Sequence, residues 1–189
     1  MNDIIKFFYG AAQAFEGEPR HVENFELENA TSKNEFDWSL VINKSLMAMK
    51  IGPLVNLTLK TARLAGVRIT GVPALMQHLP NIYFLSIISF WLPIAIVDVS
   101  HMTIVLMTVE ELTLEAVNGY RNKIVEQEKI DMHAFVGRYA RNIVESIRPF
   151  EDSRRGREDY DGMLPCFSPD HGIYFQIQRH GIVFTKLRK

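Results

Sequence analysis

The middle third of the chain is almost free of charge, and this feature limits the fold more than any other. No lysine or arginine occurs in the 52 residues between Arg68 and Arg121, where about six would be expected from 21 in 189. Within residues 69–109 the sole Asp, Glu, Lys or Arg is Asp98. Such a segment is expected to lie against apolar surroundings on nearly all sides, either protein or lipid.

Two structures would satisfy this requirement. The uncharged run Ile82–Val97 has 16 residues, fewer than the roughly 20 that a spanning helix needs, and Pro93 would kink such a helix. Its Ile, Val, Phe, Tyr and Trp side chains favour strands. We therefore predict buried strands, with one membrane-spanning segment near residues 80–100 as the alternative. The predicted strands cover residues 82–91, 94–99 and 102–109.

The flanking segments predict both helices and strands. Alternation of apolar and polar side chains over residues 36–43 predicts a half-buried strand. Apolar side chains at spacings of three and four, with breakers at the ends, predict helices. Residues 150–171 predict an exposed loop, and residues 172–189 predict two strands joined by a tight turn at His180–Gly181. The predicted helices cover residues 53–65, 73–79, 110–128 and 132–147.

Strands near both ends with helices between them predict an α+β fold. We expect a single domain with a mixed or antiparallel sheet built from distant strands and packed by several amphipathic helices. Residues 1–15 carry apolar side chains at helical spacing and predict an N-terminal helical arm. Residues 16–35 are polar and acidic, which predicts a surface linker. The predicted organisation is an arm and acidic linker over residues 1–34, followed by one domain over residues 35–189.

Composition and motifs give no support for catalysis. A formal charge of −1 and 47% hydrophobic residues exclude a disordered tail and a polybasic nucleic-acid arm. The single cysteine, Cys166, excludes an intramolecular disulfide and a cysteine-cluster zinc site. A pair such as Asp98 and His101 would share a proton if both were buried, although a strand end is the preferred interpretation. We predict a protein that is not an enzyme and binds no cofactor, metal or small-molecule substrate.

Aromatic and basic side chains are the candidates for contact with a partner. Aromatic side chains on the arm and bases at the C-terminus would lie against an anionic membrane surface. A basic cluster flanked by acidic residues predicts a solvated loop, with contact to anionic lipid or RNA as the alternative. The membrane candidates are Phe7, Phe8, Lys186, Arg188 and Lys189, and the basic loop contains Arg154, Arg155 and Arg157.

The segment His101–Val117, HMTIVLMTVEELTLEAV, combines an alternating strand, an acidic step and Leu-Glu-Ala. It resembles the strand-to-helix passage of rhabdovirus matrix proteins, and the order of predicted elements is similar. The lysine-rich arm and proline-rich motif typical of that family do not occur here. The resemblance implies a structural protein that joins copies of itself at the cytoplasmic face of a membrane or in a virion interior and binds a nucleoprotein core. The alternative function is an accessory subunit of a larger membrane complex with one span near residues 80–100.

Overall fold

A computed structural model describes residues 19–29, 37–62, 66–127, 129–139, 160–164, 171–178 and 180–188. The helices are α1 (Trp38–Met47), α2 (Pro73–His78) and α3 (Leu114–Ile124), with 3-10 turns at Leu79–Asn81 and Ile96–Val99. The strands are β1 (Asn24–Asn29), β2 (Asn56–Thr61), β3 (Val67–Arg68), β4 (Phe84–Ile88), β5 (Phe90–Trp91), β6 (Ile104–Leu112), β7 (Met132–Tyr139), β8 (Tyr160–Leu164), β9 (His171–Gln178) and β10 (Gly181–Arg188).

The chain divides into two compact units. The first comprises residues up to Ile82 together with Ser89–Pro93, and the second comprises Tyr83–Ile88 and Ile94–Lys189. In the first unit β1 pairs with β2 in parallel, and β3 pairs with β5 in parallel. This unit also contains α1 and α2.

The second unit is built on a mixed sheet in the order β4-β6-β7-β10-β9-β8. The first three strands are mutually parallel, and each later neighbour is antiparallel. One face of this sheet carries α3, because Tyr120 of that helix packs edge-on against Phe135 of β7 and beside Phe184 of β10. We call this the inner face, and its aliphatic and aromatic side chains form the core of the unit.

The α+β class is confirmed, with a mixed sheet assembled from strands distant in the chain. The predicted helix over 73–79 is confirmed as α2. The predicted strand over 102–109 is confirmed as β6, and the C-terminal pair is confirmed as β9 and β10. The predicted strand over 82–91 is confirmed only in part, because it is divided at Ser89 into β4 and β5, which belong to different sheets. Helix 110–128 is confirmed in its central part, since β6 extends to Leu112 and α3 starts at Leu114.

Two predictions in the first unit are wrong because a short hydrophobic pattern was assigned to the wrong type of secondary structure. The alternation over residues 36–43 predicts a strand, but α1 forms instead. Asp37 caps it by accepting from the Leu40 amide at 3.1 Å, and Trp38, Ile42 and Leu46 form a buried stripe at a spacing of four. Residues 53–65 predict a helix, but β2 forms over Asn56–Thr61 with strictly alternating burial.

Four further predictions fail for reasons of tertiary context. Residues 132–139 of the predicted helix form β7, which lies between β6 and β10 and therefore has apolar side chains on both sides. Residues 94–99 contain a 3-10 turn instead of a strand. The predicted linker 16–35 contains β1, which is held by pairing with β2. The predicted loop 150–171 contains β8, which is held by pairing with β9.

Within the described residues, no helix is both long enough and apolar enough to cross a membrane. Residues 80–100 hold β4, β5 and short turns in place of one continuous helix. The predicted helix over 1–15 and residues 140–147 of the predicted fourth helix lie outside the described residues. The division of the chain between residues 34 and 35 stays a prediction.

Candidate functional site

The candidate site is the face of the second unit's sheet that points away from α3. Side chains alternate across a sheet, so residues in register share one face. One such row runs Ser86, Leu106, Ala134, Val183, Gln176 across five strands. We call this the outer face. Its residues on these five strands are Phe84, Ser86, Ile88, Ile104, Leu106, Thr108, Met132, Ala134, Val136, Gly181, Val183, Thr185, Leu187, Gly172, Tyr174, Gln176 and Gln178.

The outer face combines apolar character with exposure. Val136 is 43% exposed, Leu187 41% and Met132 39%. Ser86, Ala134, Gly172 and Gly181 are buried, Gln178 is exposed, and the remaining positions are half-buried. On β4, β6, β7, β10 and β9 these positions carry no group that is charged at neutral pH, whereas Asp161 of β8 occupies the register position opposite Gln176. Exposed apolar side chains grouped on one surface are a common feature of interaction sites in folded proteins.

The inner face differs from the outer face in burial, although both are apolar. On the inner face Leu85, Val105, Phe135, Ile182 and Phe175 are each 1% exposed or less. A sheet with one free face normally alternates apolar with polar side chains. The outer face departs from that pattern over β4, β6 and β7, and the first two of these strands belong to the nearly charge-free segment of the sequence.

Charged residues lie near the ends of β6 and β7. At the carboxyl end of the parallel strands, β6 finishes in exposed Glu110 and Glu111. A register shift after Thr108 places Glu111 opposite Arg138 of β7, which is also exposed. At the amino end, exposed Lys129 and Asp131 precede β7. Asp131 shares the side of β7 that carries His133, so the charges on the outer-face side of β6 and β7 are Glu111 and Arg138 at its carboxyl end.

The inner side of the unit contains the groups with the most altered proton affinity. His133 of β7 and Tyr120 of α3 have no exposed surface. His133 Nε2 lies 2.9 Å from the Met102 carbonyl oxygen, and Nδ1 bonds the Tyr120 hydroxyl. Because a carbonyl can only accept, Nε2 carries the proton and Nδ1 accepts from Tyr120.

The surroundings favour the neutral form of both side chains. Burial lowers the pKa of His133 to about 4, with a further lowering by His101 that is opposed by hydrogen bonds to the backbone at Met102 and Thr103. Burial raises the pKa of Tyr120 well above its ordinary value. Since neither group reaches solvent, the pair cannot meet a dissolved substrate, and its role is to join α3 to the sheet.

The structure describes few of the residues that the sequence predicts for membrane contact. Lys186 lies on β10 in register with Ile173 and is half-buried. Arg188 occupies the register position opposite His171, and its side chain is outside the described set. The other sequence-predicted contact residues all lie outside the described ranges: Phe7, Phe8, Arg154, Arg155, Arg157 and Lys189.

The remaining chemical candidates do not form a site. Asp98 is exposed on its 3-10 turn, so the idea of a buried Asp98–His101 pair is wrong. Cys166 lies outside the described residues. Across the described ranges, no group of three or more His, Cys, Asp or Glu side chains is placed to hold a metal ion.

The sequence interpretation missed the outer face. Its signal was present in Ile104, Leu106 and Thr108, which alternate with buried Val105 and Met107. Alternation between two apolar sets was interpreted as complete burial, whereas one set is partly exposed.

No protein family, curated protein or solved structure matched the chain. The resemblance to viral matrix proteins therefore stays a prediction. The local order on which it was based, a strand followed by a helix within residues 101–117, is present as β6 and the start of α3.

Proposed function

We propose that this protein is a non-enzymatic structural protein that self-associates, and that the outer face is the surface through which it does so. The observation that supports this is a sheet face whose positions on β4, β6, β7, β10 and β9 carry no charge, with Val136, Leu187 and Met132 about two-fifths exposed. Burying such a face against another protein removes apolar surface from water without stripping water from any charge.

The dimensions of the outer face predict weak association. Five strands about 4.8 Å apart and about 17 Å long cover roughly 400 Å². A stable interface buries about 800 Å² on each partner. We therefore expect assembly that depends on concentration, with dissociation constants in the micromolar range or weaker. Higher local concentration, as on a surface, would be needed for full assembly.

Sedimentation velocity on the full chain tests the proposal, over a range from about 1 μM to about 200 μM. The wild type is expected to shift from monomer to larger species. Val136→Lys should abolish the shift, because a lysine at the middle strand would have to be desolvated. The matched control is Asn122→Lys, which adds the same charge at an exposed position of α3. Circular dichroism confirms that both variants are folded.

A wild type that stays monomeric at the highest concentration would contradict the proposal. Equal loss of association in Val136→Lys and Asn122→Lys would also contradict it, since the effect would then follow net charge and not the outer face.

Contact with an anionic membrane surface, and with a protein or nucleoprotein partner, completes the proposed function. It is supported by the C-terminal bases, of which Lys186 has a described, half-buried side chain. Residues 186–188 belong to β10 and pair with β9, so deletion would damage the sheet. Replacing Arg188 and Lys189 by Gln is the better test. Co-sedimentation with phosphatidylserine vesicles should fall in this variant and in higher salt, and absence of wild-type binding at low salt would contradict this part.

A further inference from the structure

We propose that the exposed side of α1, together with the turn that follows it, is a docking surface for an anionic lipid bilayer. We call it the helical surface, and its residues are Leu40, Lys44, Met47, Lys50 and Ile51. The inference rests on the membrane contact within the proposed function and assigns that contact to a surface of the first unit.

The side of α1 that faces away from the core combines apolar and basic side chains. Leu40 and Met47 are seven residues apart, so they lie nearly in line along the helix and about 10 Å from each other. Leu40 is 47% exposed and Met47 is 66% exposed. Lys44 lies between them and is also exposed. α1 therefore presents apolar, basic and apolar side chains to solvent in one row.

The turn after α1 continues this combination. Lys50 and Ile51 are both exposed, Ile51 at 59%. Gly52 follows with a φ of 113°. Beyond its chain neighbours, no described atom lies within 4 Å of the point that a Cβ of Gly52 would occupy. The turn therefore has open space around it and places an apolar side chain next to a base.

The helical surface belongs to a part of the chain that has bases and no acids. Between Asp37 and Asp98 lie 60 residues without Asp or Glu, where about seven would be expected from 22 in 189. The bases of this stretch are Lys44, Lys50, Lys60, Arg63 and Arg68. Each exposed base near an anionic bilayer contributes a favourable interaction with it, and no acid in this stretch opposes that attraction.

The acids of the first unit are concentrated elsewhere. Among its described residues they are Asp37 and three glutamates on or just before β1: Glu23, Glu26 and Glu28. Asp37 is the residue nearest to the surface, and its carboxylate accepts the Leu40 amide as the cap of α1. Within the described part of the chain, Lys44 forms no ion pair, whereas Lys60 pairs with Glu26. The charge of Lys44 is therefore available to an anionic partner.

The position of Lys44 favours lipid over a protein partner. Lysine is depleted at the centres of protein interfaces, because burial strips water from the ammonium group. A bilayer imposes no such cost: apolar side chains enter the headgroup layer while the lysine ammonium stays hydrated beside the phosphates. A second copy docked on this surface about a two-fold axis would bring the two Lys44 side chains towards each other. The helical surface is therefore suited to lipid.

The N-terminal arm joins the first unit beside this surface. The Arg20 amide donates to the Ala48 carbonyl at 3.0 Å, and the Lys50 amide donates to the Arg20 carbonyl at 2.8 Å. Residues 1–15, which the sequence predicts to carry membrane-facing Phe7 and Phe8, are therefore connected to the protein next to the turn after α1. A bilayer on the helical surface would lie within reach of that arm.

Co-sedimentation with phosphatidylserine-containing vesicles at low salt tests the charge on the helical surface. Lys44→Gln is expected to weaken binding about fivefold. Lys60→Gln is the matched control, because it removes the same charge from β2 in the same unit; binding should change by less than about twofold. Equal weakening in the two variants would overturn the inference, since the effect would then follow net charge.

The apolar side chains are tested by a second variant and a depth measurement. Met47→Gln/Ile51→Gln is expected to bind the same vesicles about tenfold more weakly, and circular dichroism checks that every variant is folded. Ile51→Trp on vesicles with brominated acyl chains should show quenching of tryptophan emission beyond that of the wild type. Absence of added quenching in a variant that binds vesicles would place Ile51 outside the bilayer and overturn the inference.

The outcomes separate this inference from the proposed function. Vesicle binding that is lost on replacing Arg188 and Lys189 by Gln, but kept in both helical-surface variants, overturns the inference and leaves membrane contact intact. A wild type that binds no phosphatidylserine vesicles at low salt overturns both. Loss of self-association in Met47→Gln/Ile51→Gln with unchanged vesicle binding would identify a second copy as the occupant and overturn the inference.

Discussion

Acid should destabilise this protein through His133. The imidazole is fully buried and neutral, with Tyr120 donating to Nδ1 and Nε2 donating to the Met102 carbonyl. Its pKa is about 4 in the folded protein, against 6.5 for an unperturbed histidine. Between these values the unfolded chain binds a proton that the folded chain does not. The contribution of neutral His133 to the free energy of unfolding is therefore present in full above pH 6.5. It decreases as the pH falls below that value and is lost as the pH falls through about 4.

The magnitude follows from the pKa difference. A difference of about 2.5 units corresponds to about 3 kcal/mol, at 1.36 kcal/mol for each unit. This is a large part of the 5–15 kcal/mol that typically separates folded from unfolded states. Protonation would also require the Tyr120 hydroxyl to turn from donor to acceptor, since both ring nitrogens of a charged histidine donate.

Urea unfolding at pH 7.5, 5.5 and 4.5 measures this contribution. The informative variant is His133→Gln, because glutamine can accept from Tyr120 and donate to Met102 without titrating. Its stability at pH 7.5 is expected to be about 1–2 kcal/mol below the wild type, from imperfect packing. Between pH 7.5 and 4.5 this variant should lose less free energy of unfolding than the wild type, by about 2–3 kcal/mol.

His180→Gln is the matched control, because His180 is exposed in the turn between β9 and β10. It should keep the pH dependence of the wild type. If His133→Gln and the wild type lose the same free energy of unfolding on acidification, the reasoning is refuted and other groups cause the acid sensitivity.

Three further predictions concern the free energy of unfolding measured in urea. Asn43→Ala should cost about 2–3 kcal/mol, because its side chain bonds the Ser39 and Gly71 carbonyls and accepts from the Ala74 amide at the start of α2; a loss below about 0.5 kcal/mol would contradict this. Gly137→Ala should cost about 2–4 kcal/mol, since the new Cβ would meet the Val109 carbonyl oxygen at 2.2 Å, and an unchanged urea midpoint would show that β6 yields there. Glu26→Gln should change stability by less than about 1 kcal/mol, because the 3.0 Å ion pair with Lys60 is exposed.

Local sequence signals were enough to predict the elements that have a clear boundary residue or a long alternating pattern. Pro73 begins α2 at the position where its missing amide costs nothing. The pair His180–Gly181 was enough to predict the turn between β9 and β10. β6 was predictable because alternation continued over many residues without a breaker.

Other elements were not predictable, since their patterns fit two structures. Met132, Phe135, Val136 and Tyr139 match a helical spacing, and they also occur on a strand with apolar side chains on both faces. Pairing with β6 and β10 decides in favour of the strand, and those partners are distant in sequence. In α1 the reverse happened, because alternation over 36–43 concealed the buried stripe Trp38, Ile42 and Leu46.

The sequence by itself determined that a long uncharged segment must be sheltered and that strands in the middle and at the C-terminal end of the chain combine with helices in an α+β fold. Only the tertiary structure decided which side of that segment stays accessible, because exposure depends on where α3 packs. The same is true of His133: its residue type sets an ordinary pKa, and burial beside Tyr120 sets the actual one. Periodicity is a property of neighbours in the chain, whereas burial and register are properties of neighbours in space.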